Sequence, residues 1–292
     1  MPLAKAGVKG FKCFLIESGV DEFPCVSETE VLKAMPFLDV RSRSSALRLL
    51  TPHRPQEANS LFLFHAELDS HPAHPPTTPS PPPSDYSTFL SSRPQSLELS
   101  AISLVARCQA AFPTLRTHIV HLSAASALPL LRETRAKGLP MSVETCFHYL
   151  VLSAEQIAKG ETLYKCCPPI REEINRDLLW EALLAGDIDF VVSDHSPCTV
   201  ELKRLGDGDF MKAWGGIGGL GLGLSLLWTE AQKRGIGMER VLEWVATRPA
   251  KQVGLEESKG SLKVGGDADF VLFDPKHQFK VSSLAHLARL RT

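Results

Sequence analysis

The sequence predicts an α/β fold. Short apolar runs alternate with longer stretches of helical periodicity, and several of those runs end in a histidine or an acid. The strand-like runs are Val8–Ile16 (VKGFKCFLI), Leu61–His65 (LFLFH), His118–Leu122 (HIVHL), Met141–Cys146 (MSVETC) and Asp189–Ser193 (DFVVS). Helical patterns lie between them at about 28–36, 96–111, 126–137 and 171–185. Strand, helix, strand at this spacing implies crossover connections and therefore parallel βαβ units. Past residue 200 come helical patterns at about 224–235 and 238–248 and a last strand signal, Asp269–Phe273 (DFVLF).

Two stretches break the alternation. Residues 71–94 hold eight of the 21 prolines. Proline fixes φ and donates no backbone hydrogen bond, so an exposed or disordered insert is expected there. Residues 39–59 are rich in Arg and Ser and read as irregular, with a short helix possible in the middle.

Composition excludes several classes. Of 292 residues, 43% are hydrophobic and 22% charged, and 32 Lys+Arg against 33 Asp+Glu leave a net charge of −1. That balance lacks the basic excess of a nucleic-acid binder. No run reaches the roughly 18 apolar residues of a membrane span; Gly215–Trp228 is the longest candidate, and six of its residues are glycine. Seven scattered cysteines make no disulfide framework and point to a reducing, intracellular compartment, cytoplasmic or organellar.

The ends of the apolar runs carry the functional signal. His65, His121 and Asp194 close three different runs, and Lys12 stands within the first. In a parallel α/β barrel the C-terminal strand ends face the active site, and these residue types suit a metal centre. Each alone has an ordinary structural reading as a core, loop or cap residue. Lys12 has two readings. It is a sheet-edge lysine reaching solvent, or its pKa is lowered by burial so that the amine adds carbon dioxide and becomes a carbamate able to bridge two cations.

Gly10–Phe14 (GFKCF) resembles the lysine strand of the cyclic amidohydrolases, and specifically of the allantoinases. Further matches follow in the family's order: Phe64–Glu67, Ser92–Pro94 with Glu98 beyond, Val120–Ser123, Glu144–Tyr149, Cys167–Arg171, Val192–Cys198 (VSDHSPC), Met211–Ile217 (MKAWGGI) and Gly266–Val271. The last barrel motifs resemble allantoinase more than dihydropyrimidinase or dihydroorotase. The resemblance implies a TIM-barrel domain, a small β-sandwich built from both termini, and a tetramer in intact members. It also implies two metal ions, usually zinc, with carbamylated Lys12 as the bridge. His65 and His121 then hold one ion and Asp194 the other. Asp194 is also implied as the general base for water that opens the ring of allantoin to allantoate. His148 and Cys167 are implied substrate-side residues. Glu67 either orients a metal ligand or is an exposed loop carboxylate, and Trp214 reads as core.

The sequence departs from the family in two respects. No two of its histidines are separated by a single residue, so the family's His-x-His pair is missing. Five barrel strands are countable where a closed barrel needs eight. The expected organisation is a partial barrel over 1–250, carrying the insert at 71–94, and a sandwich remnant over 251–292. Little or no turnover is expected of this chain alone. The alternatives are a hydantoinase or dihydropyrimidinase-like cyclic amidase and a non-catalytic scaffold homologue.

Overall fold

The computed structural model describes residues 3, 6–39, 60–69 and 81–278. Among them five strands form one parallel sheet in chain order: β1 (Gly10–Phe14), β2 (Leu61–His65), β3 (Thr117–Ile119), β4 (Met141–Cys146) and β5 (Phe190–Val192). Strictly sequential order separates a barrel from a doubly wound sheet. Right-handed crossovers that always advance in one direction lay every helix on the same face, and the sheet curls around the other. The α/β expectation therefore holds, as an open segment of barrel.

Helix α1 (Glu28–Leu38) joins β1 to β2, and α2 (Tyr86–Ser92) and α3 (Gln95–Ala110) join β2 to β3. Helix α4 (Leu128–Ala136) leads to β4, and α5 (Phe147–Val151) and α6 (Glu173–Ala185) lead to β5. After β5 come α7 (Gly223–Lys233), α8 (Met238–Leu242) and α9 (Arg248–Gln252), the last two joined by a π-helical turn, Glu243–Thr247. Local chemistry sets the boundaries. Ser27 and Glu30 form a capping box at the start of α1, and Gly186 ends α6 in the left-handed conformation at φ +84°.

Alternation along the strands fixes both faces. Phe62, Phe64, Ile119, Val143 and Val191 are buried in the core with Leu104, Val105, Leu131, Leu179 and Trp180 of the helices. The opposite face carries a row in register, Lys12, Leu63, His118 and Ser142. Above that row Phe14 pairs with His65.

Three expectations need correction. Within 71–94, residues 86–92 form α2, where Tyr86 and Phe89 are buried and the Tyr86 hydroxyl donates to the Ile170 carbonyl at 2.8 Å. The proline run stops at Pro83, and apolar residues at helical spacing follow it. Residues 71–80 and 40–59 lie outside the described residues. Asp269–Phe273 forms no strand; Val271 and Leu272 are 76% and 100% exposed. A strand needs a neighbour for its N–H and C=O groups, and among the described residues only side chains, Lys259 on Asp269 and Trp228 on Phe273, meet this segment. Finally, β3 and β5 stop short, at Ile119 and Val192, leaving His121 and Asp194 beyond the ladder. No helix among the described residues is long and apolar enough to cross a membrane.

Candidate active site

Five of the six predicted site residues line one cavity of about 380 Å³ at the C-terminal ends of the strands. They are Lys12, His65, His121, Asp194 and Cys167, and with them stand Arg93, Lys165 and the Ala213–Gly216 segment. His65 closes β2 and is 6% exposed. Phe14 stacks on its ring at 4.9 Å, and His121 meets it edge-on at 4.5 Å between centroids. His65 Nε2 lies 2.8 Å from a carboxylate oxygen of Glu67, which also accepts from Arg93 at 2.5 Å. Glu67 is fully buried, so its exposed-loop reading is overturned. Burial pushes its carboxyl up, but the His65 hydrogen bond and the Arg93 charge together hold it below the usual range. This pairing occupies Nε2 of His65 and leaves Nδ1 as the ring nitrogen open to a ligand, the arrangement by which a carboxylate orients a metal-binding histidine.

His121 and Asp194 share a backbone feature. Both sit at φ +43°, a conformation uncommon for residues with side chains. The His121 Nδ1 is buried without a hydrogen-bond partner, and burial, with His65 and Lys12 adding to it, holds the ring well below the usual histidine range. The imidazole is therefore neutral and able to ligate. Burial raises the Asp194 carboxyl, with Lys12 opposing. Lys12 is exposed on the open face of edge strand β1, its Nζ 5.0 Å from the Phe14 ring centroid. The burial invoked for it is not seen, because nothing among the described residues covers that face of β1. Among the described residues, no three His, Cys, Asp or Glu side chains converge as a metal-binding set.

His148 is the predicted residue left off the cavity lining. It is buried against Tyr149, with ring centroids 4.2 Å apart, and burial lowers its pKa to about 3. The helical start of α5 turns it into the core directly after β4. Trp214, read as core, lines the cavity instead. The glycines around it are there for close approach. A Cβ on Gly215 would stand 2.8 Å from Cys167 Sγ, and one on Gly216 would stand 2.5 Å from the Ser196 carbonyl oxygen. His195 serves this loop, accepting from the Leu220 N–H at 3.0 Å. Sequence reasoning missed Arg93 and Lys165 as cavity residues. Arg93 had a signal in the Ser-Arg-Pro motif; Lys165 had none.

Comparison with known proteins decides the family. Residues 99–291 match the model of the "Amidohydrolase family". The chain belongs to the amidohydrolase family. It is 46% identical to an allantoinase of Saccharomyces cerevisiae over 97% of this chain and 57% of that protein. It is 47% identical to a mitochondrial allantoinase of Aquarana catesbeiana over 90% of this chain and 50% of that protein. Among solved structures, an L-hydantoinase (dihydropyrimidinase) from Arthrobacter aurescens superimposes with TM-score 0.75 at 26% identity, covering 92% of this chain and 56% of that one. The chain thus spans about half the length of the curated relatives it matches.

Proposed function

We propose that the chain carries the catalytic face of an allantoinase-type hydrolase, which adds water across a cyclic amide C–N bond and turns allantoin into allantoate. The observation that carries this reading is the convergence of Lys12, His65, His121 and Asp194 on one cavity, two of them held at φ +43°. Such strained backbone clusters at functional sites. The donor set suits divalent metal, zinc in this proposal. His65 and His121 would ligate through ring nitrogens, Asp194 through its carboxylate, and Lys12 as a carbamate, since an ammonium has no lone pair to offer. When bound, the metal supplies Lewis acidity and lowers the pKa of water. Asp194 receives the proton that water gives up and can return it to the departing ring nitrogen. The wall formed by Cys167, Trp214 and Gly215 orients the ring. His148 acts behind the site, supporting it without touching substrate.

A second reading, hydantoinase-like hydrolysis, is favoured by the solved hydantoinase of the same fold. Turnover of allantoin, hydantoin, dihydrouracil and dihydroorotate, with zinc and bicarbonate added, separates the two. The comparison uses this chain and a form extended to the relatives' full length. Allantoin preference that disappears in Asp194→Ala supports the proposal, and hydantoin preference selects the second reading. No hydrolysis by either form leaves the scaffold reading. The organisation proposed with it is a barrel portion over 1–250 and sandwich residues over 251–292. A homotetramer inside the cell is proposed as the working assembly, and light scattering on the lengthened form checks it.

A further inference from the structure

The turn that carries His121 is held by a buried ion pair that does not line the cavity. Glu98 on α3 and Arg171 are paired at 2.7 Å, each side chain 2% exposed. The second Glu98 oxygen accepts from the backbone N–H groups of Ser123 at 2.9 Å and Ala124 at 3.1 Å. Asn175 grips the same turn from α6, accepting from the Ala125 N–H at 2.9 Å and donating to the Ser123 carbonyl at 2.8 Å. Arg171 also donates to the Arg93 carbonyl at 3.1 Å, and Arg93 reaches Glu67, which holds His65. The supports of both histidines are therefore one continuous set of hydrogen bonds.

A fully buried carboxylate is costly unless its partners are well placed. Here its lone pairs are spent on one guanidinium and two successive backbone N–H groups. Those N–H groups follow His121, whose own backbone sits at φ +43°, and come directly after the last cross-strand bond, from the Leu122 N–H to the Glu144 carbonyl at 2.8 Å. An apolar side chain would fill the space, but it could not fix the orientation of those peptides.

We propose that Glu98, Arg171 and Asn175 are positioning residues that set the His121 ring, and hence the metal affinity of the His65–His121 pair, without touching substrate or metal. This rests on the metal reading given above. The test uses the 292-residue chain with Co²⁺, followed by calorimetry and the visible d–d band, and with amide hydrogen exchange of residues 121–126. The double variant Glu98→Leu/Arg171→Met removes both charges together, so neither is left buried alone, and takes away the acceptor of the Ser123 and Ala124 N–H groups. It is expected to weaken Co²⁺ binding at least roughly tenfold, to alter the d–d band, and to speed exchange in 121–126 while β4 stays protected. Asn175→Ala should act in the same direction and serves if the double variant does not fold. Unchanged affinity and band in a folded variant would overturn the proposal. If the parent chain binds no Co²⁺, or His121→Ala binds it equally well, the metal reading fails. The positioning role is then judged by exchange alone, and unchanged protection of 121–126 overturns it.

Discussion

Replacing Lys203 by methionine should destabilise the chain by about 3–5 kcal/mol, although Lys203 is neither in the sheet nor among the cavity-lining residues. The residue is 5% exposed, and its ammonium faces the carbonyls of Lys165 at 3.1 Å, Trp214 at 3.0 Å, Gly216 at 2.5 Å and, more distantly, Thr162 at 3.5 Å. An ammonium has three protons, so the three nearer carbonyls take full bonds. Hydrogen bonds to a charged group are worth about 1.5–3 kcal/mol each. Desolvating the ammonium gives part of that back, and burial does lower the Lys203 pKa, which brings the net loss to about 3–5 kcal/mol. Methionine keeps the bulk and leaves the Trp214 and Gly216 carbonyls without this donor, while the Lys165 carbonyl keeps the Gly216 N–H at 2.9 Å and the Thr162 carbonyl the Lys165 N–H at 3.0 Å. The melting temperature should fall by roughly 6–20 °C, and amide exchange should accelerate selectively in 211–217, the segment that walls the cavity. Lys165 holds that segment from the other side through the Ala213 carbonyl at 2.6 Å. A loss below about 1 kcal/mol by urea unfolding would show that the ammonium has no net stabilising role. A loss spread evenly over the strands would refute the local account.

Gly216→Ala should lose about 1–3 kcal/mol, because its new Cβ would stand 2.5 Å from a backbone oxygen that cannot move aside; urea unfolding checks it, and a neutral result refutes the close-approach reading. Glu67→Gln should weaken Zn²⁺ binding roughly 10- to 100-fold, because the carboxylate that orients His65 is gone; calorimetry reads this directly. Burial raises the Glu98 carboxyl above 4.5 despite Arg171, so the native chain binds that proton more tightly than the unfolded chain does. Its contribution is complete below pH 4.5 and is lost as pH rises through the native value. Subtracting the pH–stability curve of Glu98→Gln from that of the parent should reveal this downward slope, and a flat difference would contradict it.

Much of this was legible from sequence where local pattern and tertiary contact agree. The runs Leu61–His65 and Met141–Cys146 form strands at the residues predicted, because one is a short continuous apolar run and the other a short alternating one, and each pairs over its whole length. Residues 86–92 were misread because proline density upstream hid a short helix, whose stability comes from burying Tyr86 and Phe89 against distant residues. Glu67 was misjudged for a related reason. Its partner Arg93 is 26 residues away, and no local signal marks a carboxylate as buried. His148 and Trp214 exchanged their expected places because the sense in which α5 and the glycine loop turn after their strands depends on what packs behind them.

The site is built at the points where the sheet stops. The β3 ladder ends at Ile119 and the β5 ladder at Val192, and in each case the ligand candidate lies two residues further on, at φ +43°. Had the strands continued, His121 and Asp194 would share a pleat with their neighbours, and their side chains would stand perpendicular to the sheet. Leaving the ladder swings both onto the barrel mouth beside His65, at a backbone cost of order 1–3 kcal/mol each. Other contacts must hold those turns against that cost. For His121 it is the Glu98 carboxylate taking the N–H groups of Ser123 and Ala124. For Asp194 it is the glycine loop, whose Ile217 carbonyl accepts from the Ser196 N–H at 3.0 Å. The geometry of the two ligand candidates is therefore stored in hydrogen bonds made by their neighbours, outside the cavity for His121 and in the cavity wall itself for Asp194.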